Sequence, residues 1–486
     1  MRRVGHNMVE KNNINKSVVK GAIWSTIDKF GTVVMQFVIN MVLARLLAPD
    51  DFGLVGMILI IVAVSNVLTD GGFSAALIQK NDADECDFST AFYVNIATAA
   101  LLYMLIYVAA PLVSLYLEIP LLKEILRFIG IVVIINSLGF VPKVKLRRLF
   151  AFKQIALSNI IAYIISAAVA ILMSYNGYGP WSLVVMYIVN SLFSNLFMCF
   201  AVRWIPSLTF SYTSLKRMFS YGEYMLISDI MSNVCFHIQS TLVGKYFTPY
   251  TAGQYAQAKK MEEVACITLP SALNQVLFPF YSRLQNDILQ MRSMLRQHTQ
   301  MIAFLIFPLL TILIIIAEPL ILFLFGPKWV DSIIYFQMLC IGGFFCSLQY
   351  FNYQAVAAIG KSRVLFYAGI VKSCFLIVSI MISVRINMES VLIAMILSNI
   401  VNYLVNAIIA QIYIKYSVWQ QIVDVLQILV LSIIVGVITY CLYDKLNVNW
   451  IVTVAIFLAM YVAANYFVKN EMMANIIKLI IKIKDR

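Results

Sequence analysis

Charge is scarce in this sequence. Only 12% of its 486 residues are Asp, Glu, Lys or Arg, about half of what an ordinary soluble domain carries. A soluble fold this apolar would expose large sticky patches, so that class is excluded. Histidine is scarcer still: His6, His237 and His298 are too scattered for a histidine-rich metal site. Eight cysteines form no Cys-x-x-Cys pair. Seven of them lie within apolar runs and read as small packing residues rather than disulfides or zinc ligands. Gly-x-Ser-x-Gly, P-loop and zinc-ligand patterns are all missing, and no cofactor is expected. No polar stretch between apolar runs is long enough to fold as a domain of its own. The first 20 residues are polar and basic, and the apolar stretch after them is too long for a signal-peptide core, so no cleavable signal is expected. The formal charge of +13 does not point to nucleic acid. In membrane proteins Lys and Arg gather in cytoplasmic loops, which accounts for the excess.

Apolar residues make up 62% of the chain, and the mean hydropathy is +0.87. They come in runs of the length that crosses a hydrocarbon core of about 30 Å. Inside lipid the backbone must bond to itself, so these runs are expected to be helices. The expected fold is an all-α membrane protein of about fourteen spans. They lie at 18–47, 51–79, 88–116, 121–141, 154–175, 180–202, 218–246, 251–281, 299–325, 329–352, 364–384, 388–413, 421–443 and 449–468. With both termini placed in the cytoplasm, 25 of the 36 Lys and Arg fall on that side, and the span interiors hold only four. The richest inner loop is 142–153, with Lys143, Lys145, Arg147, Arg148 and Lys153. All six tryptophans fall near span ends, as an interfacial belt requires. The tail 470–486 interleaves isoleucines with Lys478, Lys482 and Lys484, the pattern of a basic amphipathic helix on the inner leaflet.

The chain resembles itself at an offset of 200 residues. Arg45, Pro49 and Gly53 join spans 1 and 2, and Lys245, Pro249 and Gly253 join spans 7 and 8 at the same spacing. Asp70-Gly71-Gly72 interrupts span 2, and Pro270 interrupts span 8 at the matching place. Corresponding breaks in two halves point to a transport pathway. The expected organisation is a cytoplasmic segment 1–17, an N-lobe 18–203, a cytoplasmic linker 204–217, a C-lobe 218–413, spans 13 and 14 within 421–468, and the tail. Two six-span lobes would be parallel repeats, with spans 13 and 14 as an appendix.

Polar residues inside spans are expensive and mark sites. In span 1, Asp28, Thr32, Gln36 and Asn40 step by four residues and form one stripe, with Lys29 beside it. In span 7, Ser228, Asp229, Ser232, Asn233, Gln239 and Ser240 share a comparable arc. Hydroxyls and amides often only bond between helices. The ionised Asp28, Lys29 and Asp229 are expected to face a water-filled cavity, because ionised groups need water or a partner. Span 8 carries Lys259, Lys260, Glu262 and Glu263. Lys259 and Glu263, four apart, would pair along the helix, and the competing expectation puts Lys259 or Lys260 on an anionic headgroup. Arg45, Asp70 and Lys245 complete the candidate pathway. His237 reads as a core residue. The acidic loop 80–87 contains Asp82 and Asp84 in a weak match to a metal-binding Asp-x-Asp, and capping of span 3 is the stronger expectation.

Five segments carry a family resemblance. They are Leu-Ala-Arg-Leu-Leu-Ala-Pro-Asp-Asp-Phe-Gly at 43–53, Asp-Gly-Gly-Phe-Ser-Ala-Ala-Leu-Ile-Gln at 70–79, Gly-Pro-Trp-Ser-Leu-Val at 179–184, Leu-Pro-Ser-Ala-Leu-Asn-Gln-Val-Leu-Phe-Pro-Phe-Tyr-Ser-Arg-Leu-Gln at 269–285 and Phe-Gly-Pro-Lys-Trp at 325–329. In their order and spacing the chain resembles polysaccharide transporters of the superfamily of multidrug, oligosaccharide-lipid and polysaccharide exporters. The similarity is strongest to the lipopolysaccharide and teichuronic-acid branch, with its O-antigen flippases. The resemblance implies a two-lobed flippase with a central, cationic cavity in the bacterial inner membrane. It would move undecaprenyl-pyrophosphate-linked sugar repeats from the inner to the outer leaflet, with membrane lipids and other polysaccharide-assembly proteins as partners. Lys29, Arg45, Lys245, Lys259 and Lys260 are the cations available for the pyrophosphate. Two other classes compete. A membrane-embedded polymerase or ligase generally needs a sizeable outer loop, and none here exceeds about 15 residues. A drug or cation exporter is disfavoured by spans 13 and 14 and by the basic loop 142–153.

Overall fold

The structure is a computed structural model. It describes residues 30–80, 82–268, 287–446 and 449–468, with Trp24, Asp28, Pro270, Tyr281, Leu284, Gln285, Met472 and Met473 as isolated positions. Segment 1–17, Lys29, most of the 269–285 motif and nearly all of the tail lie outside the described residues. Among the described residues every regular element is a helix.

Contacts divide the chain into two compact units, Met1–Gly253 and Gln254–Arg486. The first holds α1 (Phe30–Leu46), α2 (Pro49–Asp70), α3 (Phe73–Gln79), α4 (Glu85–Leu117), α5 (Leu121–Ile129), α6 (Ile131–Leu138), α7 (Phe140–Arg148), α8 (Phe152–Tyr175), α9 (Pro180–Val202) and α10 (Tyr212–Tyr246). The boundary falls within α11 (Pro249–Glu263). The second unit continues with a π-helical turn (Val264–Thr268), α12 (Ile288–Ile315), α13 (Ala317–Phe325), α14 (Ser332–Ala358), α15 (Ser362–Ser383), α16 (Met388–Ile414), α17 (Val418–Leu446) and α18 (Trp450–Phe467).

Ten of these helices are long and apolar enough to cross a membrane, with α2 and α3 taken together, and α5–α6 with α7 make an eleventh, bent by 43°. The other three expected spans are 1, 7 and 8. The described part of α1 is short, α10 has 35 residues but is too polar, and α11 has 15 residues. The outer faces fit lipid. On α4, Met104, Val108, Leu112 and Leu115 form a strongly exposed apolar stripe at helical spacing. The stretch read as loop 142–153 is largely helical. Its basic residues through Arg148 ride on α7, because Val141 and Val144, three apart, are buried on one side and Leu146 is buried with Ile155 and Met198 on another.

The helix ends follow from local sequence. Asp84 caps α4 by accepting the Asp87 N–H at 2.8 Å, as the acidic loop was expected to do. Asp287, Asn387 and Asn449 cap α12, α16 and α18 in the same manner. The break after α2 is made by Gly71 and Gly72, both left-handed (φ 56° and 75°), a conformation that costs other residues energy. Asp70 bridges the break by accepting the Ser74 N–H at 3.0 Å. In span 8 the helix widens into the π turn two residues before Pro270. Proline has no N–H and its ring crowds the carbonyl four residues back, which accounts for looser winding there.

The 200-residue offset has a spatial counterpart within the first unit. A Cβ on Gly53 would overlap the Pro249 carbonyl, and a Cβ on Gly253 would overlap the Pro49 carbonyl. The contact is reciprocal: each half presents the same Pro and Gly to the other, as a local two-fold demands. Close by, Gly244 lies against Met57, and the Thr241 hydroxyl donates to the Met57 carbonyl at 2.7 Å. Here α10 approaches α2 to backbone contact, the use of small residues typical of membrane helices.

Spans 13 and 14 are held firmly in the second unit. Arg296 of α12 grips Asp424 of α17 through Nε (2.9 Å) and Nη2 (2.7 Å), and the Tyr416 hydroxyl donates to the same carboxylate at 2.7 Å. Asn352 of α14 donates to Gln421 at 2.8 Å, and Tyr461 of α18 donates to the Phe304 carbonyl at 3.2 Å.

Gly53→Leu should force the two turns apart and cost about 1–3 kcal/mol, the usual range for overpacking. The check is the melting temperature of the purified protein, where Gly177→Leu, whose position has open space around it but a positive φ, should cost less.

Candidate functional site

The polar groups expected to mark a pathway are brought together in part. In the first unit, Asp28 accepts from Asn159 Nδ2 at 3.0 Å, and Asn159 Oδ1 accepts from the Ser194 hydroxyl at 2.7 Å. Two helical turns on, Gln36 donates to the Tyr163 hydroxyl at 2.5 Å. The stripe of span 1 therefore bonds to α8, and through it to α9. A second chain runs beside it: Asn136 donates to Asn66 at 3.1 Å and accepts from Ser191 and from Asn195 (3.0 Å). Both chains converge on one turn of α9. Gly139 allows this, since any side chain there would overlap the Asn195 amide. An amide in apolar surroundings is costly unless bonded, so this seam holds the unit's helices in register.

At one end of the seam the charges gather. Asp70, at the α2 break, is subject to the charges of Arg147, Lys143 and Asp229, and Lys143 to those of Asp70 and Asp28. Helix α7 is pinned there. Lys145 pairs with Glu85 at 2.6 Å, Trp204 Nε1 donates to the same carboxylate at 2.6 Å, and Arg148 donates to the Leu77 carbonyl at 2.9 Å. A buried cluster that includes Phe73, Leu77, Phe88, Val141, Val144 and Met218 lies beneath. Beside Gly71 an apolar groove of about 750 Å³ opens between α2–α3, α4 and α10, lined by Leu68, Phe73, Val94, Leu102 and Phe219, with Lys216 as its charged member.

Span 7 behaves differently. Asp229 is exposed, while Asn233 and Gln239 donate to carbonyls of their own helix at 2.9 and 3.2 Å. Asn40 is buried and Arg45 exposed, both with partners. Lys245 donates to the Tyr116 carbonyl and stands 3.6 Å over the Tyr116 ring, so it anchors α10 to the end of α4. Lys29 lies outside the described residues.

In the second unit Lys259 pairs with Glu262 at 2.7 Å rather than with the expected Glu263. The reason is burial. Glu262 is fully buried and Glu263 is only partly so, and the more desolvated carboxylate has more to gain from the ammonium. The other Glu262 oxygen, Oε1, is buried without a hydrogen bond. Lys260 is half-buried and has interactions of its own. The start of the helix is fixed by Gln254, which donates to the Lys328 carbonyl at 2.7 Å and accepts the Ser332 N–H at 3.0 Å.

Asn66, Asn136, Asn159, Tyr163, Ser191, Ser194 and Asn195 were not singled out from the sequence, nor were Lys143 and Arg147 as site residues. The signal was available. Asparagines in the interior of apolar spans carry a desolvation cost that only a partner relieves, and Lys143 and Arg147 are spaced four apart on one helical face.

Lys259→Met should strand the buried Glu262 carboxylate and destabilise the protein by about 3–5 kcal/mol, whereas Lys259→Met with Glu262→Met should recover most of that loss. Melting of the two variants separates these outcomes. Equal losses would show that the pair contributes nothing specific.

The chain matches known proteins along most of its length. It is 24% identical over 364 residues to the teichuronic acid biosynthesis protein TuaB of Bacillus subtilis (strain 168), covering 73% of this chain and 74% of that protein. It is 21% identical over 333 residues to the lipopolysaccharide biosynthesis protein WzxC of Escherichia coli (strain K12), covering 68% of each. Among solved structures, the lipid II flippase MurJ in an inward closed conformation superposes with a TM-score of 0.77 at 16% identity, over 93% of this chain and 100% of that one. At that identity the likeness is one of fold. The family model described as polysaccharide biosynthesis protein matches residues 42–334, and the chain belongs to that family.

Proposed function

We propose that this protein is a flippase that carries undecaprenyl-pyrophosphate-linked oligosaccharide repeat units across the bacterial cytoplasmic membrane for surface polysaccharide biosynthesis. The observation that carries the reading is the polar seam of the first unit: amides, Asp28 and the Lys143–Arg147 pair run through helices that are otherwise apolar. Lipid-facing helices have no use for such groups, whereas a hydrophilic headgroup crossing the bilayer needs them. Membership of a polysaccharide biosynthesis family supplies the class of cargo. The fold shared with a lipid II flippase is suited to lipid-linked sugars.

The charged groups of this seam then have tasks. Lys29, Lys143 and Arg147 offer positive charge to the pyrophosphate. Asp28, Asp70 and Asp229 balance those cations when the pathway is empty. Amides and hydroxyls of the seam exchange their mutual hydrogen bonds for bonds to sugar hydroxyls. The breaks at Gly71–Gly72 and at the π turn before Pro270 let spans 2 and 8 bend as access alternates. Both termini lie in the cytoplasm, with the lobes at 18–203 and 218–413. Spans 13 and 14 are a fixed addition to the second unit.

Cells lacking the protein should accumulate lipid-linked repeats on the inner leaflet, measured by their inaccessibility to an external glycosidase. Normal appearance outside would rule out transport. Lys29→Glu and Lys143→Glu place like charge against the pyrophosphate, and each should lower export about tenfold or more with the amount in the membrane unchanged. Normal export in both would refute the cationic path. A cysteine placed at position 150 should react with impermeant reagents only in inside-out vesicles.

A further inference from the structure

Lys372 is a charge inside the spans that the pathway just described does not use. Lys372 is the eleventh residue of the 22-residue helix α15. Either end of the helix is about 15 Å away at 1.5 Å per residue, beyond the reach of a lysine side chain, so it does not extend to the membrane surface. A charge at that depth is costly without a counterpart. Its position on the helix is also informative. Val371, Phe375, Val378 and Ile382 form the exposed apolar side of α15, and Lys372 stands about 100° round from Val371.

The ammonium donates to Asn406 Oδ1 on α16 at 3.1 Å and lies 5.8 Å from the centroid of the Tyr353 ring on α14. The Asn406 amide nitrogen faces the Gln349 carbonyl and its Oε1, both at 3.5 Å, which orients Asn406 with its oxygen toward the lysine. Asn406 is buried, so the floor of the arrangement is built, while Tyr353 is 41% exposed and leaves it open at the side. Asn406 and Tyr353 are both neutral, and none of the ion pairs among the described residues includes Lys372. An ammonium has three donors, and Asn406 takes one.

We propose that Lys372, with Asn406, Gln349 and Tyr353, is a subsite for one carboxylate carried on a sugar of the transported repeat unit. The charge balance favours a carboxylate over the pyrophosphate. One ammonium neutralises one carboxylate, whereas a pyrophosphate would retain at least one further charge here. The neighbours suit a sugar as well. Amides bond hydroxyls in both directions, and an exposed tyrosine face packs against the C–H face of a pyranose. The assignment rests on the flippase reading and names a feature of its cargo.

The test uses the full-length protein in nanodiscs and two chemically defined probes. One is a polyprenyl-pyrophosphate tetrasaccharide with a single glucuronic acid, and the other is the same compound with its carboxyl reduced to the alcohol. The wild type should bind the acidic probe about tenfold more tightly. Lys372→Gln should abolish that preference while binding the reduced probe as the wild type does, and Lys372→Arg should keep most of it. Equal wild-type affinity for the two probes, or a preference that survives Lys372→Gln, overturns the subsite. A Lys372→Gln loss that is equal for both probes assigns the ammonium to the pyrophosphate and also overturns it. Wild-type protein that binds neither probe refutes the flippase reading itself, a result distinct from the others.

Discussion

In the first unit Gly53 meets Pro249 and Gly253 meets Pro49 in a reciprocal contact. There, two equivalent turns meet backbone to backbone, and neither tolerates a side chain. Much else depends on it. It sets where α10 crosses α2, and therefore where Gly244 meets Met57 and where Thr241 finds its carbonyl. It also explains why proline and glycine recur after 200 residues. Proline starts each following helix at no cost in hydrogen bonds, and glycine four residues later lies on the same helical face, where the partner's carbonyl arrives.

The segments that carry the family resemblance are, where described, junctions rather than groups poised for cargo. Gly179 adopts a positive φ, Pro180 opens α9, and Trp181 packs edge-on against Phe128 at 5.2 Å. Phe325 and Trp329 are fully buried on either side of a turn whose Lys328 carbonyl receives Gln254. Such positions preserve a helical framework whatever passes through it. The polar seams vary the interior within that framework: amides around Asp28 in one unit, and Lys372 with Asn406 in the other.

Charge in the spans is arranged by what must be neutralised. Glu262 is wholly buried and takes Lys259, although Glu263 has the spacing usually favoured on a helix. Asp424 is shared between Arg296 and Tyr416, which joins α17 to α12. Lys245 has no carboxylate among its described contacts and rests on an aromatic face and a carbonyl instead. Lys372 likewise has a neutral amide and an aromatic ring. Which charges meet an opposite charge and which meet only neutral groups is set by how the helices pack, and spacing along the chain does not contain it.

The sequence by itself determined that the chain is a bundle of membrane helices, because run length and the need to satisfy a backbone in lipid leave no other solution. It also determined the breaks and junctions, since Gly71, Gly72, Pro49 and Pro249 act through local backbone geometry alone. Asp84 as a helix cap was legible for the same reason. Only the tertiary structure decided which polar groups meet. Asp28 finds Asn159 across 131 positions, and Asn136 finds Asn66 across 70. Helical periodicity gives the face on which a side chain lies, but its partner is chosen by how helices cross. Tertiary structure likewise decided that Lys143 and Arg147, which read as loop charges, stand on a helix beside the α2 break. The apolar residues that hold α7 down are contributed by α3, α4 and α10, far away in the chain.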